Sequence, residues 1–189
     1  MDRLAFRLTA LGAILAPAVH TVTDLLEWLQ GGFSPTQLWL NYLAFLPLPA
    51  VLLGLYAAQR PRIGTLGLVG AVGYGIAFIY FTHTTLLAVA LATPDYETLW
   101  SSLGATYTIH GALMIVAGGA FGWATLRAGV FPRWTGATFL AGIALNLALG
   151  LLPLPDILQT VGTLLRNAGL VGMGWALWRQ RALASSSRV

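Results

Sequence analysis

Three histidines, two carboxylates and one arginine stand inside stretches that are otherwise apolar, and these are the residues that could do chemistry. His20, Asp24 and Glu27 follow one another at i, i+4 and i+7, so on a helix they project from one stripe. Tyr80, His83 and Thr84 lie together in a second stretch. Tyr107 and His110 lie in a third, with Met114 one turn further on. Asn146 falls in a fourth, and Gln159, Thr163, Arg166 and Asn167 recur at helical spacing in a fifth. A charged side chain at the middle of a bilayer costs on the order of 2.5–3.5 kcal/mol on insertion scales, so each of these groups needs a compensating role.

Imidazole and carboxylate together offer two kinds of chemistry. As ligands, His20, His83, His110 and Asp24 suit Zn, Fe or Cu, and the absence of Cys removes thiolate sites. As catalytic groups, His20, Asp24, Glu27, His83 and His110 form an acid–base set, in which burial keeps a proton on one carboxyl while a histidine or the second carboxylate accepts one. Arg166 would act as counter-ion or anion anchor. Asn146, Asn167, Tyr80 and Tyr107 would orient a substrate. A haem held between His83 and His110 is an alternative, with Gly111 and Gly118 leaving room for the macrocycle and Arg166 meeting a propionate. A purely structural reading pairs Asp24 or Glu27 with Arg166 and gives each histidine a hydroxyl neighbour. That reading leaves more ionisable groups than one ion pair requires, which favours a site.

Other chemistries lack their residues. The sequence contains no Lys, which excludes Schiff-base chemistry, and Ser101 and Ser102 stand without the glycine elbow of a serine hydrolase. There is no phosphate loop or dinucleotide fingerprint. The net charge of +4 resides in short turns, so no nucleic-acid partner is expected.

The elements that must position these groups are membrane helices. At 57% hydrophobic and 8% charged residues, with a mean hydropathy of +0.76, the 189-residue chain is too apolar for a soluble domain. Six segments of roughly the length needed to cross a bilayer fit near 6–30, 36–59, 63–92, 95–127, 133–153 and 156–179. The expected fold is therefore all-α: one six-helix transmembrane bundle over residues 1–183, followed by a disordered Ser-rich tail at 184–189. Arg3 and Arg7, with Ala16-Pro17-Ala18 after an apolar run, imitate a signal peptide, but the apolar character continues and the segment reads as a retained first helix.

Borders and orientation come from charge, proline and aromatic residues. Arg3, Arg7, Arg60, Arg62, Arg127, Arg133, Arg179, Arg181 and Arg188 mark alternate ends of the segments, which puts both termini in the cytoplasm and the chain in a cell membrane, by this pattern a bacterial inner membrane. Pro35, Pro61, Pro94, Pro132 and Pro155 stand at or just before helix starts, with Ser34 and Thr93 as expected N-caps. Trp28, Trp39, Tyr96 and Trp100 mark the outer interface, and Tyr56, Trp123, Trp134, Trp175 and Trp178 the inner one. Gly64, Gly67, Gly70 and Gly73, and Gly142 and Gly150 around Asn146, predict close helix packing or a homodimer face.

Counting from the outer end of each segment, His20, His83, His110, Arg166 and Asn167 fall about 13–17 Å deep, near the bilayer middle. Asp24, Glu27 and Asn146 lie further out. The expectation is an outward-facing polar pocket for acid–base or metal-assisted conversion of a small lipophilic compound. The alternatives are a haem-binding or structural subunit of a membrane complex and a small proton-linked transporter. The bilayer itself is the remaining expected partner.

Overall fold

The computed structural model describes residues 3–152, 155 and 157–186, with side chains up to residue 180. It contains α1 (Arg3–Gln30), α2 (Pro35–Phe45), α3 (Leu48–Gln59), α4 (Gly64–Ala90), α5 (Tyr96–Leu103), α6 (Ala105–Ala128), α7 (Arg133–Leu151) and α8 (Ile157–Ser186), and no strand among the described residues. Five stretches are long and apolar enough to cross a membrane: α1, α2 with α3, α4, α6 and α7. The sixth expected span, α8, is not among them, because Arg166 and Asn167 interrupt its apolar run. Its helix continues to Ser186, three residues into the stretch expected to be disordered, while residues 187–189 lie outside the described residues.

Two of the expected helices are broken, each for a local reason. The second breaks at Leu46 and Pro47, because Pro47 and Pro49 have no N–H to donate back into the preceding turn, and α3 restarts with Pro49 in its first turn. The fourth breaks at Gly104, whose φ of 53° with ψ of −130° is a conformation that only glycine adopts readily. Pro17, by contrast, lies inside an unbroken α1. Ser34 caps α2, accepting from the Gln37 N–H. Thr93 does not cap α5; its N–H bonds back to Ala88 O at 3.0 Å and closes α4, so the cap passes to Asp95, which accepts from Thr98 N–H at 2.8 Å.

The helices close into a ring in the order α1, α8, α7, α6, α4 and the α2–α3 pair, which returns to α1. Small residues make the seams. A Cβ on Gly70 would run into the α6 backbone at Phe121 and Ala117, and one on Gly142 would run into the α8 backbone at Gly162 and Arg166, so glycine at both places lets helices meet backbone to backbone. Gly150 and Gly64 meet nothing and make no such seam. Inside the ring, Leu48, Leu52, Leu55, Tyr74, Phe78, Phe121, Phe139 and Met173 form one continuous core. Outside it, large apolar side chains such as Leu15, Val69, Ile79 and Val116 are exposed, Val116 by 72%, as lipid-facing residues are.

The two ends differ in charge and closure. One carries Arg60, Arg62, Arg127, Arg133 and Arg179; the other carries Glu27, Asp95 and Glu97. On α6 the buried residues run only from Ala117 to Ala128, and on α7 only from Thr135 to Ile143. Both helices are therefore tightly packed toward the basic end and loosely packed toward the acidic end.

Candidate functional site

Where the tight packing ends, polar side chains from α1, α2, α7 and α8 meet. His20 is 4% exposed, and its Nε2 lies 3.3 Å from Asp24 Oδ1, one helical turn away. The ring is set edge-on against Phe45 of α2, with centroids 4.6 Å apart, and Phe78 of α4, at 6.3 Å. With Nε2 turned toward the carboxylate, Nδ1 is buried without a protein partner. Asp24 is slightly more open at 14%, and Thr163 of α8 also interacts with its carboxylate.

Arg166 enters this layer from α8 and is 4% exposed. Its Nη1 donates toward Asn146 Oδ1 of α7 at 3.4 Å and Met114 Sδ of α6 at 3.3 Å, and its guanidinium carbon lies 5.9 Å from the Phe78 ring centroid. Neither Asp24 nor Glu27 forms the direct ion pair that a purely structural role would give it; Asp24 acts on Arg166 only at longer range. Asn167 turns the other way along α8 and donates to Thr21 Oγ1 of α1 at 3.1 Å. Thr23 of α1 donates to Asn41 Oδ1 of α2 at 3.1 Å. The layer thus holds His20, Asp24, Asn146, Thr163, Arg166 and Asn167 together.

The remaining candidates stand apart from it. His83 is exposed on α4, although Thr84 beside it is buried, so the helix turns the imidazole away from the bundle. His110 lies flat on Tyr80, with ring centroids 3.7 Å apart and planes 7° apart, and its Nδ1 is 2.7 Å from Thr106 O. Tyr80 and Tyr107 belong to an aromatic group with Phe81, Tyr96 and Trp100 nearer the acidic end. Glu27 is half-buried there, within electrostatic reach of Tyr96 and Tyr107.

The expected metal set is consequently not assembled. Among the described residues no three His, Cys, Asp or Glu side chains are grouped so that they could hold a metal ion. His20 and Asp24 meet because they share a helix face, whereas His83 faces outward and His110 is held by Tyr80 and the Thr106 carbonyl.

Several participants carried no individual signal in the sequence. Asn41 was missed, although a polar residue in an apolar segment is a signal that could have found it, and Phe45, Phe78 and Tyr74 look like ordinary core. Tyr74 is fully buried with an unpartnered hydroxyl and feels the Arg166 charge. No protein family, curated protein or solved structure matches this chain, so the chemistry of the layer rests on its own residues.

Proposed function

We propose that this chain is a six-span protein of the cell membrane, basic ends in the cytoplasm, whose His20–Asp24 pair performs acid–base chemistry on a small lipophilic compound. The observation that carries the reading is the buried imidazole in contact with a less buried carboxylate, next to a guanidinium that has no carboxylate of its own. Asp24 orients His20 through Nε2–H and stabilises the charge that forms when Nδ1 accepts a proton. Arg166, steadied by Asn146, stabilises developing negative charge on a substrate oxygen. The loose packing of α6 and α7 toward the acidic end supports access from that side.

A second reading uses the same residues as a proton path in a small transporter. It is favoured by the His20, Asp24, Glu27 stripe, which leads along α1 from the buried layer toward the acidic end.

Solvent labelling separates the two. Proteoliposomes carrying the protein and a total lipid extract of the expression host are incubated in D2O, and the lipophilic compounds are weighed by mass spectrometry. Acid–base chemistry at carbon breaks a C–H bond toward the base and forms a C–D bond from it, so a compound should gain deuterium with the wild type and not with His20→Gln or Asp24→Asn. Equal labelling by all three proteins, or no labelled compound, overturns the catalytic reading. A pH-driven proton flux that both variants abolish would then establish the transporter.

A further inference from the structure

Arg166 is nearly inaccessible, and its hydrogen-bond partners are an amide oxygen and a thioether, neither of them charged. We infer that it anchors the carboxylate of a single-chain lipophilic acid entering between α6 and α7; this names a substrate class for the site proposed above and rests on that reading.

The guanidinium bridges α6 and α7 where the closely packed turns of both helices end. Met114 and Asn146 are both half-buried, and each is the partner that α6 or α7 offers just beyond its last closely packed turn. Arg166 Nε is buried with no partner, as is the hydroxyl of Tyr74, which lies within reach of the same charge. Two donors without acceptors call for an oxygen ligand, and a planar guanidinium matches a carboxylate through two parallel N–H donors. The nearby Asp24 would repel a dianion such as a phosphate monoester more strongly than a monoanion.

The hydrocarbon part follows from what stands toward the acidic end. Gly111 lies on the α6 stripe between Tyr107 and Met114, and a Cβ there would meet nothing within 4 Å. Leu147 of α7 is exposed one residue beyond Asn146. The open space beside Gly111, one turn from Met114, gives an alkyl chain room to run from Arg166 toward the acidic end.

The test is retention of labelled decanoate by the full chain in phosphatidylcholine nanodiscs, at a pH where the acid is ionised, beside decanol and acetate. Decanoate should be held more tightly than either. Arg166→Gln should weaken its retention about tenfold or more, as loss of charge-assisted hydrogen bonds does. Gly111→Phe, which fills open space and leaves the seams intact, should also weaken it, so the proposal stays testable if Arg166→Gln does not fold. Decanol retained as well as decanoate, acetate retained as well, or decanoate unaffected by Gly111→Phe would each overturn the proposal. If decanoate binds as described while no deuterium is transferred, the acid–base reading alone fails; labelling without decanoate binding removes only the carboxylate site.

Discussion

Each half of the bundle buries polar groups, but the two halves treat them differently. Toward the basic end, Gln59 is fully buried and donates to Leu55 O at 3.1 Å and to Thr125 Oγ1 at 3.3 Å, tying α3 to α6 with neutral groups amid tightly packed glycine and phenylalanine. Toward the acidic end, the buried groups include a histidine, a carboxylate and an arginine; His20 Nδ1 and Arg166 Nε remain without protein partners, as Gln59 Oε1 does in the other half, but here the unpartnered atoms belong to ionisable side chains. A neutral amide is enough to join two helices. Burying ionisable groups where packing loosens is a poor way to gain stability, which is why the second half is the place to look for chemistry.

Substitutions can break this contrast. The largest loss is expected from Phe139→Ala, which empties a fully buried position against Tyr74 and Phe121; about 3–5 kcal/mol should be lost, read as a lowered melting temperature in detergent. Gly142→Ala should cost about 1–3 kcal/mol, because its methyl must displace the α8 backbone. Arg166→Met should behave in the opposite sense: with a buried cation replaced by an apolar chain of similar length, the melting temperature should stay level or rise. A collapse comparable to Phe139→Ala would make Arg166 structural and erase the distinction between the halves. Asn167→Ala should cost about 1 kcal/mol, the usual worth of its bond to Thr21.

The smallest effect belongs to the α5 cap. The Thr98 N–H holds the Asp95 carboxyl below its ordinary pKa, so the cap contributes above the ordinary carboxylate range and is lost as pH falls through the lowered value. Hydrogen exchange of the α5 amides should quicken in acid, with no matching change in α6, and Asp95→Ala should remove that pH dependence.

The helix borders were legible because proline and interfacial aromatic residues mark them and arginine marks alternate ends. The breaks were less so: an apolar run containing Pro47 and Pro49 has the length of one span, and Gly104 is a single glycine in a mixed segment. In the candidate site, the His20–Asp24 contact could be read because both residues lie on one helix. The orientation of His83 could not, since α4 is apolar on nearly every side and its pattern does not say which face turns inward. Nor could the Arg166–Asn146 contact, which depends on the register that Gly142 and Gly162 impose between α7 and α8.

The α1–α8 seam has a consequence for biosynthesis. Gly174 of α8 fits against Ala10 and Ala13 of α1, two helices separated by most of the chain. Until α8 leaves the ribosome, Thr21 and Asp24 lack the Asn167 and Thr163 contacts that help hold them, and the ring stands open at the helix that bears the histidine. The least apolar helix is thus both the last of the eight described helices to be made and the one that finishes the site, so a chain halted after α7 would leave the polar stripe of α1 without its partners.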